Sequence, residues 1–179
     1  MAYISFQPKD HYKYHYYLGN STTNPQTGFD FQPDIVLIKL LDETGSSWNY
    51  HNSLSGASKW IELDTNSGQE TSGSGLASFD SEGFTLTGSS NPWNYGIVGN
   101  YYEYNSYSWK AATTTVPTGG TITPTSARIN TTSGMSLIEY GGNSTGNQTF
   151  PHGLGSAPTM VWIKKINAAD NWCVYHKSM

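Results

Sequence analysis

Two stretches of this chain repeat one another, block by block and in the same order. The first reads Tyr17-Leu-Gly-Asn-Ser-Thr22, then Phe31-Gln-Pro-Asp-Ile-Val-Leu-Ile-Lys39, then Trp48-Asn-Tyr-His-Asn-Ser-Leu54. The second reads Tyr140-Gly-Gly-Asn-Ser-Thr145, then Ala157-Pro-Thr-Met-Val-Trp-Ile-Lys164, then Trp172-Cys-Val-Tyr-His-Lys-Ser-Met179. Pro33 and Pro158, Lys39 and Lys164, and His51 and His176 each stand 125 residues apart. One supersecondary unit is therefore used twice. Trp48 and Trp172 stand 124 apart. A one-residue slip would turn a strand side chain to the opposite face, so a bulge or loop adjustment is expected in one copy.

The unit has a physical reading. A polar strand ends in the tight turn Gly-Asn-Ser-Thr. A Gly-rich approach follows, and Pro33 or Pro158 sets up the next strand. That strand, 35–41 or 160–166, is apolar on both faces apart from its lysines and reads as a central strand of a packed sheet. A polar loop and a returning Trp/Tyr/His strand complete a β-meander. No helical periodicity is long enough to compete. The expected fold is all-β, an antiparallel β-sandwich of jelly-roll-like character with a partial internal duplication.

Copy one continues beyond the shared blocks. Phe79-Asp-Ser-Glu-Gly83 reads as a hairpin turn into the alternating strand Phe84-Thr-Leu-Thr87, and Trp109-Lys-Ala111 closes the unit. Residues 113–125 are Thr, Pro and Gly apart from Val116 and Ile122, in low-complexity order. The expected organisation is a β-sandwich domain at 1–112, a linker at 113–127 and a second, incomplete copy at 128–179. An incomplete copy leaves the faces of 160–166 short of cover, so Met160, Val161, Trp162, Ile163 and Ile166 are expected to lie in a subunit interface or under further chain.

Composition narrows the function. Charged residues are 12% and aromatics 14% of the 179 residues, with 13 Tyr and a net charge of −4. Few charges beside many Tyr, Ser, Asn and Gly describe an adhesive surface, or one suited to packing in a large assembly. Nine basic residues without a stripe argue against nucleic-acid binding. The N-terminus has no signal-peptide pattern and no run is long enough to cross a bilayer, so synthesis in a host cytoplasm and no membrane association are expected. The single Cys173 lies in an alternating strand and is expected to be a buried structural thiol.

Catalytic and metal readings find little footing. His51 and His176 have no visible acidic partner or oxyanion site, and duplication accounts for their matching positions. His11 and His15 are four apart in an aromatic strand, not on a helix. The acids Asp42, Glu43, Asp64, Asp80 and Glu82 lack regular calcium-loop spacing and read as turn residues. The expectation is no enzyme, no metal and no cofactor. The alternative reading places a ligand surface at Trp48, Tyr50, His51, Trp93 and Tyr95, stacking on the sugar rings of a host surface glycan.

The opening Met-Ala-Tyr-Ile-Ser-Phe-Gln-Pro8, the block Gly28–Lys39, Ser78-Phe-Asp-Ser-Glu-Gly-Phe-Thr-Leu86, Ser108–Ala111, His152–Pro158 and Trp172–Met179 resemble virion-associated, tail-fibre-like or structural proteins of marine bacteriophages with uncharacterised repeated β domains. The resemblance spans nearly the whole chain and departs from the family pattern at 101–107 and where the second repeat stops. It implies a virion structural protein on the particle exterior, in a tail fibre, fibre attachment or capsid decoration. Its partners would be other virion proteins, with a homo-oligomer, a trimer by family analogy, expected. The alternative is a receptor-binding, lectin-like module.

Overall fold

The computed structural model describes residues 7–89 and 91–179. It is 39% strand and 4% helix, far from the roughly one-third helix of an average soluble domain, and every strand pairing is antiparallel.

Copy one folds into two layers. Its large sheet has six strands: β1 (Tyr12–Leu18), β3 (Ile35–Leu40), β4 (Asn49–Asn52), β5 (Lys59–Glu62), β6 (Glu70–Thr71) and β11 (Glu103–Trp109), in the order β1-β11-β3-β4-β5-β6. The small sheet has three, in the order β2-β8-β7: β2 (Asn24–Gln26), β7 (Gly75–Asp80) and β8 (Gly83–Thr87). A two-stranded ribbon, β9 (Gly96–Ile97) and β10 (Asn100–Tyr101), and a helical turn at Asn91–Asn94 lie at one end.

The core between the layers follows from strand alternation. Val36, Ile38 and Leu40 of β3 are fully buried on the inner face, against Leu76, Phe84 and Leu86 of the small sheet. Beside them, β11 places Ser108 opposite Val36 and Ser106 opposite Ile38, small side chains where β3 is bulky. Its Tyr104 ring stacks on Tyr17 of β1 at 5.1 Å. Gly28 and Asp30 take left-handed backbone, with φ of 80° and 60°, and the bend sends both Phe29 and Phe31 into the core. Gly19 and Gly96 bring two backbones together: a Cβ on Gly19 would lie 2.1 Å from the Tyr95 carbonyl oxygen.

Copy two forms two hairpins, β12 (Ser126–Asn130) with β13 (Met135–Glu139) and β14 (Met160–Ile163) with β15 (Cys173–His176). The duplication is visible in its backbone. Gly153 and Gly155 repeat the positive φ of Gly28 and Asp30, and Ser144 repeats that of Ser21. The Asx turn in which Asn20 Oδ1 accepts from the Thr22 amide recurs at Asn143 and Thr145. Lys39 donates to the Ser46 carbonyl across the β3–β4 loop, and Lys164 donates to the Asp170 carbonyl across the matching loop, at 2.8 Å.

Two expectations need correction. His51 pairs across from Val36, but His176 pairs across from Met160, the counterpart of Ile35. His176 therefore occupies the place of Asn52, and the counterpart of His51 is Tyr175. The second hairpin loop is one residue shorter, which brings Trp172 into register with Trp48 without a bulge. Cys173 is exposed, because alternation assigns a side chain to a face but does not provide anything to cover that face. Within the segment 113–127, Thr113 bridges to Ile129, the Ile122 amide donates to the Thr149 carbonyl, and β12 begins at Ser126.

Candidate functional site

The outer face of the large sheet is the most distinctive surface of the molecule. At its β1 edge, strand alternation puts Tyr12, Tyr14 and Tyr16 on one side, joined by Tyr107 and Trp109 from β11. Tyr12 meets Trp109 at 5.4 Å between ring centres, Tyr14 meets Tyr107 at 5.3 Å, and Trp48 reaches Tyr107 at 5.7 Å. Tyr14 and Tyr16 are about half exposed. The Tyr14 hydroxyl donates to Asn105 Oδ1 at 2.7 Å, which holds the ring in place.

Toward the middle of the sheet the same face is covered by copy two. Between them lies an apolar cleft of about 530 Å³, lined on one side by Ile35, Leu37, Tyr50, Ile61 and Trp109 and on the other by Met135, Leu137, Met160, Trp162 and Trp172. Trp172 anchors the cover: its indole Nε1 donates to the Glu62 carbonyl at 3.2 Å, and its ring meets both Tyr50 and Trp162 edge-on at 6.3 Å. Burial, and then the Glu139 carboxylate, push the Tyr50 phenol far above its ordinary value, so it stays neutral. Glu139 in turn accepts from Ser55 and Ser126 hydroxyls at 3.0 and 2.9 Å, bridging the two copies.

On its open side the cleft leaves the hairpin of β14 and β15 in contact with solvent. Met160, Trp162 and Val174 are each 50% exposed and Tyr175 56%. Ile166 is also exposed, whereas Val161 and Ile163 are half-buried.

Over residues 7–179 the chain matches the family described as Domain of unknown function (DUF7483). The chain belongs to this family. No curated protein and no solved structure matches it.

In this DUF7483 member the five residues proposed as a sugar platform do not share a surface. Trp48 and Tyr50 lie on the outer face, but His51 and Trp93 are buried in the sandwich at 1% and 3% exposure, in ring contact at 6.0 Å. Tyr95 packs edge-on against Tyr102 at the ribbon end. The period of two forbids neighbours Tyr50 and His51 from facing the same way. The exposed ladder of Tyr12, Tyr14, Tyr16 and Tyr107 was open to the same rule, since its members recur at every second position.

Several of the polar residues weighed as chemistry have structural partners. His15 Nε2 pairs with Gln26 Oε1 at 3.0 Å and His11 Nδ1 with the Asn130 side-chain amide at 2.8 Å. Asp80 accepts from Ser78 and Thr85 hydroxyls, each at 2.7 Å, within the β7–β8 hairpin. Among the described residues, no group of three or more His, Cys, Asp or Glu is arranged to hold a metal ion.

His51 yields a prediction. Its Nδ1 bonds the Lys59 carbonyl at 3.1 Å and so carries the proton, leaving neutral Nε2 inside the core. Burial lowers its pKa from 6.5 to about 4, against the smaller raising effect of the backbone bonds to Lys59 and Ala57. Between these values the unfolded chain binds more protons than the folded one, so stability is full above the unfolded value and falls as pH drops toward the folded one. Denaturant titrations from pH 7 to pH 4 should show a loss approaching about 3 kcal/mol from this residue. That pH slope should flatten in His51→Gln; an unchanged slope would assign the acid sensitivity elsewhere.

Proposed function

We propose that this protein acts by assembly, as a structural component on the exterior of a bacteriophage particle, through the β14–β15 hairpin of its second copy. The observation that carries the assembly reading is the exposure of that hairpin. Met160, Trp162 and Val174 on one face of a two-stranded unit, and Tyr175 on the other, stand about half in water, and covering a large apolar side chain is worth roughly 1.5–3 kcal/mol. Adjacent exposed side chains of this kind mark protein interfaces. Placement on a phage particle rests on the sequence resemblance. In particles purified from the phage that carries the gene, the chain should be detected by mass spectrometry. Lys177, next to β15, should crosslink to another polypeptide, and Trp162→Glu should reduce incorporation. Absence from particles, or a hairpin lysine that crosslinks to nothing, would overturn the reading.

A second reading, glycan recognition, draws on a separate surface. The ladder of Tyr14, Tyr16 and Tyr107 presents ring faces and phenol hydroxyls suited to stacking on sugars. Glycan-array binding that disappears in Tyr14→Ala together with Tyr16→Ala is the result expected of it; no binding to any glycan would remove it.

A further inference from the structure

We propose that the cleft between β13 and β14 is a slot for a single β-strand, filled by an extended segment of a partner polypeptide that alternates small and aromatic residues as Ser106–Trp109 does. The proposal rests on the assembly reading and states how the partner is held.

The duplication supplies the reasoning. In copy one, β1 and β3 are not neighbours: β11 lies between them and pairs antiparallel with both. In copy two, β13 is the counterpart of β1, followed by the same Asx turn, and β14 is the counterpart of β3, preceded by the same pair of left-handed residues. Yet β13 pairs with β12 alone and β14 with β15 alone. Among the described residues no strand takes the place of β11. The two facing edges bound the cleft, which is lined by 134–140 on one side and by 158–164 on the other.

The surroundings suit a strand rather than a compact ligand. Ile35, Leu37 and Trp109 of copy one close one face of the slot, and Phe150, His152 and Leu154 line the other. An inserted segment would have both faces covered and could hydrogen-bond along both edges, which is strand addition from two sides. The occupant's chemistry follows from the walls. Ser108 and Ser106 cross Val36 and Ile38 in copy one; the counterparts of that pair, Val161 and Ile163, are half-buried and require similarly small residues opposite them. Strand β11 itself is committed to copy one, where it pairs with both β1 and β3.

The test uses the 179-residue chain, 15N-labelled, with a synthetic peptide of the sequence 102–110 as the probe. Amide hydrogen exchange should slow about tenfold or more at alternate positions of both β13 and β14, with β1 and β3 unchanged. The same peptide with Ser106→Pro should give no protection, because proline lacks the N–H that the ladder needs. No protection at about millimolar peptide, protection of β14 alone, or equal protection by the proline peptide would each overturn the slot. Protection of both strands by concentrating the chain without peptide would make a second copy the occupant and also overturn it. If the peptide fails while Lys177 still crosslinks in particles, the assembly reading stands without the slot; if both fail, both are lost.

Discussion

Asp34→Ala should destabilise the protein by about 3–5 kcal/mol, the range for removing one partner from a buried ionic cluster. The carboxylate sits just before β3 with its side chain 6% exposed and is surrounded by donors. Its Oδ1 accepts from the Ser53 hydroxyl at 2.6 Å and faces Arg128 Nε at 3.3 Å. Its Oδ2 accepts from two successive amides, Ala111 at 2.8 Å and Ala112 at 2.7 Å. Ala112 itself takes the left-handed region, with φ of 52°, so the carboxylate also holds a strained turn at the exit from β11. Alanine would leave two amides and a partly buried guanidinium without this acceptor. Because Arg128 belongs to β12, the loss should also loosen copy two. Chemical denaturation should show the lower midpoint, and exchange in β12 should accelerate beyond the global change. Asp34→Asn should recover only part, since it keeps an acceptor and loses the charge. A destabilisation under about 1 kcal/mol, the scale of an exposed ion pair, would show that the cluster is not structural.

Phe84→Ala should cost a comparable amount, about 3–5 kcal/mol. Phe84 is fully buried, and its ring meets Phe29 edge-on at 5.6 Å and Tyr17 at 6.3 Å. It is where the small sheet, the Phe29 loop and the large sheet come together, so the lost transfer energy adds to a cavity that three separate elements would have to collapse to fill. Against a typical total of about 5–15 kcal/mol, either variant could leave a substantial unfolded fraction. Thermal denaturation measures the effect. Phe84→Leu should lose less than alanine because it keeps most of the volume.

Much of the fold was legible before any coordinates. The alternation of Phe84 and Leu86, the apolar run from Ile35 to Ile38 and the turns around Gly28 and Gly83 determine strands and their ends through local sterics and burial. The central position of β3 followed from its having two apolar faces, and the structure supplies a cover for each: the small sheet inside, copy two outside. The repeat was likewise a property of the sequence, and it reappears as matched dihedrals and matched lysine bonds.

Other features depended on pairing. An alignment at constant spacing equated His51 with His176, but a hairpin loop one residue shorter shifted the second strand and put Tyr175 in the place of His51. The candidate sugar-binding residues were grouped by type and proximity along the chain, and the sheet then divided them, sending His51 and Trp93 inward and Trp48 and Tyr50 outward. Cys173 shows the same limit. Its strand was recognisable, whereas its exposure depends on what lies over β15. Local sequence determined which segments become strands and which residues alternate, because these are set by near-neighbour sterics and by the period of two. Tertiary structure alone decided register, which face is covered, and that the edges of β13 and β14 lie open beside a cleft, because each of these depends on contacts between residues far apart in the chain.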